Sequence, residues 1–495
     1  MVRSSRLALS AYELVEEFRC GSMSIEDYMA SLLERIESID GRINAYITVN
    51  EHALEEARKM DRLVRAGSDG NSNSGHGGGD QALLGVPLAV KDNISTLGIR
   101  TTCASRMLAD YVPVYDATVV KRLKGAGAIV IGKTNMDEFG MGSTTEFSAF
   151  GATRNPWKED RVAGGSSGGS GAALAACMAS IALGSDTGGS VRCPASFCSV
   201  YGLKPTYGLL SRYGLISYAS SLDCIGLMAR SVHDLALMLR AAGRDEHDHT
   251  SIDSTLDLRL ECTDLKGLRF ALIKEVMESE GMDAPVRDCM MDAVSSVEQL
   301  GATVEEVSMP VLRYALASYY TIAMAEASSN LARYDGVRYG HTMQPDGVAW
   351  NEFYSTIRSN FGSEVKRRIM LGTYVLSSGY YGRYYMKAQQ ARALIRDGMM
   401  MVLKDHDAVM TPTMPVLPPR IGERVSDPLR LYTIDICTVV ANLAGIPALS
   451  IPYSMHDGLP IGIQFMAGHL GEPLLLRIAH ALESAREGKV RRCML

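Results

Sequence analysis

The stretch that decides how this chain folds reads Gly-Gly-Ser-Ser-Gly-Gly-Ser over residues 164–170 and Asp-Thr-Gly-Gly-Ser over residues 186–190. A helix-like apolar stretch, residues 172–183, separates the two glycine-serine segments. Glycine lets the backbone turn sharply and approach a ligand closely, so that consecutive amides can point at one spot. We therefore predict an oxyanion hole for acyl transfer. Its donors are the amides of four consecutive residues, Thr187, Gly188, Gly189 and Ser190.

A serine in such a site needs a base, because its hydroxyl is a poor nucleophile until a neighbour removes the proton. None of the ten histidines lies between His76 and His233, where the glycine-serine segments occur. Lys91 is the better candidate, since it follows the apolar run at residues 85–90, which is typical of a buried strand. Burial lowers the pKa of a lysine, so that a useful fraction is neutral near pH 7. We predict that Lys91 is the general base.

A second hydroxyl could pass the proton from the nucleophile to Lys91, because a hydroxyl both donates and accepts hydrogen bonds. Ser166 and Ser167 lie side by side in the first glycine-serine segment. The residue types alone leave both serines open for this relay.

These residues, together with Gly-Lys-Thr-Asn-Met-Asp-Glu-Phe at residues 132–139 and Leu-Lys-Pro-Thr at residues 203–206, resemble the amidase signature family. The resemblance runs over residues 84–230 and implies a triad of serine, a serine in a cis peptide, and lysine. It implies that Ser190 is the nucleophile, Ser166 the bridging serine and Lys91 the base.

The resemblance also implies an α/β fold in which a single large mixed β-sheet is sandwiched by helices, with residues 1–495 forming one domain. Three strand candidates, residues 86–90, 128–131 and 268–273, alternate with helical stretches and agree with this class. The expected parts are N-terminal helices at 1–66, a flexible Gly/Ser loop at 67–80, the catalytic core at 84–230, and a substrate-pocket and peripheral part at 231–495.

Two N-terminal helices are predicted from capping and periodicity. Ser24 begins a Ser-x-x-Asp cap before residues 28–36, and residues 51–65 have amphipathic spacing. The run at 67–80 contains His76 among glycines without further ligands at metal spacing. We predict no metal site in this chain.

Residues 127–134 satisfy the phosphate-binding spelling G-x-x-x-x-G-K-[ST]. In a phosphate-binding loop the four intervening residues form a turn, whereas Ala-Ile-Val-Ile is typical of a strand. We therefore predict a strand here and no nucleotide site.

Composition indicates a folded enzyme of 495 residues, with 46% apolar and 21% charged residues. A net charge of −6 disfavours direct binding of RNA by this chain. No apolar run reaches about 18 residues, so no membrane span is expected. The ten cysteines include no Cys-x-x-Cys pair, which favours reduced thiols and a cytoplasmic location. Asp186 and Arg192 bracket the nucleophile and are expected to form a structural ion pair.

Three stretches of the second half resemble one branch of the family, the glutaminase subunits of tRNA-dependent amidotransferases: residues 327–340, 364–369 and 376–381. Free glutamine carries an α-carboxylate and an α-ammonium, which a selective pocket meets with an arginine and an acid. The resemblance assigns these roles to Arg368 and Asp435, and assigns a pocket tyrosine to Tyr319 or Tyr320.

This branch further implies B-type and C-type partner subunits, and a misacylated tRNA, Glu-tRNA(Gln) or Asp-tRNA(Asn), reached through the complex. No cofactor is expected in this chain, whereas ATP and Mg²⁺ are expected on the partner subunit. Two alternatives stay open: a stand-alone amidase acting on small amides, and a catalytically silent scaffold subunit. The intact Lys91, Ser166 and Ser190 argue against the scaffold.

Overall fold

Eleven strands form one large mixed sheet in the computed structural model of the protein, which describes residues 4–68, 81–279, 281–343, 347–423 and 427–486. Helices cover both faces of this sheet. The predicted fold class is therefore confirmed.

The strands of the described residues are β1 Tyr46–Val49, β2 Pro87–Lys91, β3 Ile129–Thr134, β4 Arg154–Asn155, β5 Lys158–Val162, β6 Ile181–Asp186, β7 Tyr201–Lys204, β8 Cys224–Ala229, β9 Arg269–Ile273, β10 Thr303–Val307, β11 Ala408–Pro412, β12 Ala448–His456 and β13 Leu459–Ala467. The α-helices are α1 Ala11–Arg19, α2 Ile25–Ile43, α3 Ala53–Ser68, α4 Thr118–Gly125, α5 Gly168–Ala175, α6 Arg192–Cys198, α7 Val232–Leu239, α8 Lys274–Met277, α9 Ala284–Gln299, α10 Ala315–Asn330, α11 Trp350–Arg358, α12 Ser363–Leu376, α13 Tyr385–Asp405, α14 Pro428–Tyr432, α15 Val439–Ala444 and α16 Glu472–Ala485. Short 3₁₀ helices include Glu138–Gly140 and Thr433–Cys437.

The strand order in the large sheet is β1-β3-β2-β6-β8-β7-β12-β13-β11-β9-β10. Strand β2 is parallel to both β3 and β6, whereas β6, β8, β7, β12 and β13 form an antiparallel run. Parallel strands are usually buried on both faces. In β2, Leu88 and Val90 belong to one apolar core and Ala89 belongs to another on the opposite face. The C-terminal end of β2 is thus enclosed on both sides.

The three predicted strands are present as β2, β3 and β9. The predicted strand within residues 127–134 is confirmed, since β3 occupies Ile129–Thr134. Its lysine, Lys133, is fully buried, and its Nζ donates to the carbonyl oxygen of Ile94 at 2.5 Å and to Thr101 Oγ1 at 2.7 Å. These hydrogen bonds hold the Lys133 ammonium group inside the protein, whereas a lysine that binds a nucleotide phosphate has to reach the ligand.

The N-terminal helices agree with the sequence pattern. Ser24 caps α2, because its side chain accepts a hydrogen bond from the Asp27 amide at 3.2 Å. The second predicted helix is α3, Ala53–Ser68, which extends past the predicted start of the flexible loop at 67. The rest of that loop, from residue 69 to 80 and including His76, lies outside the described residues.

The helix-like stretch at residues 172–183 is divided between two elements. Helix α5 ends at Ala175, and Cys177 has a left-handed φ of 53° that cannot continue a right-handed helix. Strand β6 then begins at Ile181. A continuous apolar run does not distinguish a buried helix from a buried strand by periodicity, so the sequence pattern alone missed this boundary.

Eight cysteines among the described residues are free thiols, and Cys193 and Cys198 near the nucleophile are two of them. Among the described residues, no helix is long and apolar enough to cross a membrane.

Gly127, which precedes β3, has a φ of 100°, and a Cβ there would lie 2.9 Å from the Leu84 Cα. We expect Gly127→Ala to lower the free energy of unfolding by about 1–3 kcal/mol, because alanine would be strained at this backbone angle and would clash with backbone. The matched control is Gly125→Ala at the end of α4, where nothing lies within 4 Å of the added Cβ. Thermal unfolding of both variants checks this, and equal melting temperatures would contradict it.

Candidate active site

Lys91 lies at the C-terminal end of β2 and is fully buried. Its Nζ contacts Ser166 Oγ at 2.8 Å, Ser185 Oγ at 2.9 Å and the Ser185 carbonyl oxygen at 3.3 Å. Asn93 Nδ2 donates to the same Ser185 hydroxyl at 3.0 Å. The lysine head is therefore fixed between the first glycine-serine segment and β6.

Burial lowers the pKa of Lys91 to about 7, although the carboxylates of Asp137, Asp186 and Asp223 oppose this change. A lysine in this range is partly neutral at physiological pH, whereas an ordinary lysine is almost wholly protonated. Lys91 thus has the protonation behaviour that a general base needs.

The two candidate relay serines make different contacts. The peptide bond between Gly165 and Ser166 is cis, and Ser166 Oγ is the hydroxyl within reach of Lys91. The Ser167 hydroxyl instead donates to a carbonyl of β6 at 3.3 Å. The Ser167 amide donates to the Ser190 carbonyl oxygen at 3.0 Å, which brings the two glycine-serine segments together.

Ser190 is 8% exposed, whereas Lys91 and Ser166 are fully buried. Among the described residues, no hydrogen bond joins the Ser190 and Ser166 hydroxyls in this state. Lys91 and Ser166 are thus in contact in the interior of the protein, and Ser190 is slightly more accessible.

The loop before Ser190 differs from the sequence expectation at one donor. The Gly189 amide donates to Asp186 Oδ1 at 2.9 Å, so it does not point into an oxyanion hole in this structure. Gly189 has a φ of 131°, and a Cβ there would lie 2.4 Å from Thr438 Oγ1. The sharp turn beside Thr438 therefore requires glycine. The amides of Thr187, Gly188 and Ser190 make no hydrogen bond to the described residues and remain available as donors.

The predicted ion pair between Asp186 and Arg192 is present. Arg192 Nη2 lies 3.0 Å from Asp186 Oδ1 and Nε lies 3.1 Å from Oδ2, and both side chains are fully buried. Burial raises the pKa of Asp186, but the charge and hydrogen bonds of Arg192 outweigh it and hold the pKa well below its usual range. Arg192 also donates to Asn442 Oδ1 at 2.7 Å and Gln464 Oε1 at 2.6 Å.

Arg368 lies buried on α12 within a ring of tyrosines. Its guanidinium is 5.7 Å from the ring centre of Tyr218, 5.4 Å from that of Tyr320 and 5.3 Å from that of Tyr432. Its Nη1 donates to the Tyr218 hydroxyl at 2.7 Å, and its Nε donates to Glu364 Oε1 at 2.8 Å. A planar guanidinium in such a setting is suited to bind a carboxylate.

Asp435 is buried next to the hydroxyl group of Tyr320. It accepts hydrogen bonds from the Tyr320 hydroxyl at 2.5 Å and from Ser143 Oγ at 2.8 Å. Burial raises the pKa of Asp435 to about 6, although both hydrogen bonds and the nearby Arg368 lower it. The structure therefore brings the predicted cationic and anionic groups to one tyrosine.

The two candidate pocket tyrosines have different environments. Tyr320 is bound to Asp435 and stacks on Tyr432 with ring centres 4.1 Å apart. Tyr319 packs against the loop at residues 187–190, since a Cβ on Gly188 would lie 2.4 Å from the hydroxyl oxygen of Tyr319. That hydroxyl donates to none of the described residues. Tyr319 thus links the charged pocket to the loop that carries Ser190.

Glu138, in the segment that resembles the family core, anchors the start of α12. Its carboxylate accepts a hydrogen bond from the Gly362 amide at 2.7 Å and a short one from Ser105 Oγ. A Cβ on Gly362 would lie 2.3 Å from Glu138 Oε2, so this contact needs glycine. Glu138 therefore fixes the helix on which Arg368 lies.

Sequence reasoning missed several groups that touch the site. Ser185 and Asn93 were detectable, since they lie one residue before Asp186 and two residues after Lys91. Tyr218 and Ser143 lie in stretches without a motif, and only the fold brings them to Arg368 and Asp435.

One group outside the site could offer metal ligands. His233, His480 and Glu483 place one ligand atom each within 4.8 Å of one another, and all three are half-buried. These side chains lie on α7 and α16.

The amidase family matches residues 27–476. The chain is 50% identical over 489 residues to the A subunit of glutamyl-tRNA(Gln) amidotransferase from Moorella thermoacetica, covering 98% of each chain, and 48% identical over 475 residues to that of Saccharolobus solfataricus, covering 95% of each. The crystal structure of the same A subunit from Thermotoga maritima superimposes with a TM-score of 0.80 at 42% identity, covering 100% of this chain and 98% of that one. A native peptide amidase from Stenotrophomonas maltophilia superimposes with a TM-score of 0.79 at 30% identity, covering 98% of both. The chain therefore belongs to the amidase signature family.

Proposed function

We propose that this chain is the glutamine-hydrolysing subunit of a tRNA-dependent amidotransferase and supplies ammonia for the amidation of Glu-tRNA(Gln). The observation that carries the proposal is the buried pair Arg368 and Asp435, which both contact Tyr320 and lie next to the Ser190 loop. This pocket has one charge for each charged group of a free amino acid. The names of the relatives favour Glu-tRNA(Gln) as acceptor, with Asp-tRNA(Asn) as a second acceptor.

The reaction begins with proton transfer from Ser190. A neutral lysine has two N–H groups and one lone pair; the carbonyl and hydroxyl oxygens of Ser185 can accept the two N–H groups. The lone pair then faces the Ser166 hydroxyl, 2.8 Å away. Lys91 takes the proton of Ser166 while Ser166 takes that of Ser190.

Ser190 Oγ then forms a bond to the side-chain amide carbon of glutamine. The free amides of Thr187, Gly188 and Ser190 stabilise the negative charge on the carbonyl oxygen. The proton returns through Ser166 to the amide nitrogen, the C–N bond breaks and ammonia leaves. Water then attacks the glutamyl ester and loses its proton through Ser166 to Lys91. The proton returns through Ser166 to Ser190 Oγ as the ester bond breaks and glutamate leaves.

Ammonia protonates in bulk water, so a protected route to a partner subunit follows from this chemistry. In the proposed assembly a B-type subunit binds the misacylated tRNA and activates its carboxylate with ATP and Mg²⁺, and a small C-type subunit completes a heterotrimer. The net charge of −6 agrees with tRNA binding by a partner rather than by this chain. We place the assembly in the cytoplasm.

A second candidate is a stand-alone amidase, which the similarity to a peptide amidase favours. Such an enzyme would share the triad but would require neither Arg368 nor a partner. The two functions differ in their substrate and in their dependence on partners.

Ammonia release by the purified chain, alone and with B-type and C-type subunits, ATP and Glu-tRNA(Gln), tests the proposal. We expect glutamine hydrolysis that increases with the partners and is lost in Ser190→Ala by a factor of about 10³ or more, because the nucleophile is removed. Parallel reactions contain Asp-tRNA(Asn) or an aryl amide. Robust hydrolysis of the aryl amide without partners, with glutamine ignored, would support the stand-alone amidase instead.

The pH dependence of kcat/KM tests the role of Lys91. The neutral fraction of an amine rises as the pH rises through its pKa, here about 7. We therefore expect kcat/KM for the aryl amide and for glutamine to increase with pH through neutrality and then level off. Lys91→Arg should remove both the activity and the increase of kcat/KM with pH, since arginine stays protonated. A profile that is flat across neutral pH would contradict a lysine base.

The dependence of KM on pH tests Asp435. Its pKa is raised to about 6, so the carboxylate becomes protonated as the pH falls through 6 and can no longer pair with the α-ammonium of glutamine. We expect KM for glutamine to rise below that pH, and Asp435→Asn to raise KM about tenfold or more at neutral pH. The aryl amide, which lacks an ammonium group, is the control. An equal loss for both substrates would argue against substrate recognition by Asp435.

A further inference from the structure

Glu364 is a fully buried acid beside the arginine of the pocket, and the proposed reaction does not use it. It lies one helical turn before Arg368 on α12, so both side chains are on the same face of the helix. Its Oε1 accepts from Arg368 Nε at 2.8 Å and from the Tyr432 hydroxyl at 2.7 Å. Its Oε2 pairs with Arg367, which is partly exposed. Glu364 thus forms the charged contact that holds the guanidinium.

The contacts of Glu364 restrict the orientation of Arg368. A guanidinium has five N–H groups, and among the described residues only one on Nε and one on Nη1 are bonded, to Glu364 and Tyr218. The remaining N–H groups are free for a carboxylate. The three surrounding tyrosine rings leave the guanidinium little room to turn.

Arg368 has a second possible anionic partner inside the pocket. Asp435 is close enough for the charge of Arg368 to lower its pKa, and the two residues share contacts with Tyr320. No salt bridge joins Arg368 and Asp435 in the described structure. If they paired directly, each would neutralise the group that the other end of a zwitterionic substrate requires.

We propose that Glu364 is a positioning residue that holds Arg368 away from Asp435, so that both charges stay available to the α-carboxylate and the α-ammonium of the substrate. This inference rests on the proposed function. It explains why a buried acid lies beside an arginine that has to bind an anion. The charge of Glu364 is stabilised inside the pocket by the hydrogen bond from the Tyr432 hydroxyl.

Glu364→Gln tests this proposal, since glutamine keeps the shape and an acceptor but removes the charge. The substrates are glutamine, γ-aminobutyramide, which lacks the α-carboxylate, and butyramide, which lacks both charged groups. We expect the ratio of kcat/KM for glutamine to that for butyramide to fall about tenfold or more, mainly through KM. The ratio of kcat/KM for γ-aminobutyramide to that for butyramide should also fall, because the released Arg368 pairs with Asp435.

A second variant separates positioning from general damage. In Glu364→Gln/Arg368→Met no arginine can reach Asp435, so the ratio for γ-aminobutyramide should recover while that for glutamine stays low. Arg367→Gln is the matched control, because it removes the other partner of Glu364 at the surface, and it should keep the wild-type ratios. Melting temperatures of all variants, and the glutamine Kd in a Ser190→Ala background, accompany the kinetics.

The pH profile gives an independent readout. In Glu364→Gln the rise of KM for γ-aminobutyramide at acid pH should begin at a lower pH, because a paired Arg368 lowers the pKa of Asp435. The ionisable or charged groups that face Asp435 are Tyr319 and Tyr320 on α10, Arg368 on α12, Asp186 at the end of β6, Cys193 on α6, and the neighbouring Cys437. Among them Arg368 is the group whose position Glu364 controls.

Three results would each overturn the role of Glu364. They are an unchanged ratio of kcat/KM for γ-aminobutyramide to that for butyramide in Glu364→Gln, a rise of KM that begins at the wild-type pH, and no recovery of the ratio in the double variant. If the wild-type protein hydrolyses butyramide but not glutamine, with or without partner subunits, the proposed function itself fails. The two failures are therefore distinguishable.

Discussion

The buried ion pair between Asp186 and Arg192 is the constraint on which the rest of the site depends. The Asp186 carboxylate accepts not only from Arg192 but also from the amides of Gly189 and Val191, so it shapes the loop that presents Ser190. Removing one partner of a buried pair leaves an uncompensated charge, which costs roughly 3–5 kcal/mol. The geometry of the loop at residues 187–190 is thus set by an interaction that takes no part in the proposed hydrolysis of glutamine.

The same ion pair joins the two halves of the chain. Arg192 donates to the Thr438 carbonyl oxygen at 2.9 Å, and Thr438 Oγ1 in turn donates to the Gly188 carbonyl oxygen at 2.6 Å. Gln464 on β13 accepts from Arg192 and donates to the Cys437 carbonyl oxygen. Because Asp435 lies in the same short 3₁₀ helix as Cys437, the substrate pocket and the nucleophile loop rest on one hydrogen-bond network.

Local patterns were sufficient to predict what local geometry determines. Lys91 at the end of a buried strand and the two glycine-serine segments predicted the base and the oxyanion hole, whereas the choice of Ser166 and Ser190 came from the family resemblance. The structure places Lys91 in contact with Ser166. Two features were beyond reach: the Gly189 amide is taken by Asp186, which Asn442 contacts from the second half of the chain, and the apolar run at residues 172–183 changes from helix to strand. In both cases the outcome depends on partners distant in sequence or on packing, which override local preference.

The separation of the triad from the charged pocket has an energetic consequence. The raised pKa of Asp435 means that its carboxylate is only partly compensated by Tyr320, Ser143 and the nearby Arg368. In the proposed reaction, the substrate ammonium group would supply the missing charge in a buried site, where such a contact is stronger than in water. The free energy of desolvating Asp435 is spent during folding, so binding can recover part of it. Selectivity for a free amino acid can therefore reside in the second half of the chain while the triad chemistry stays unchanged.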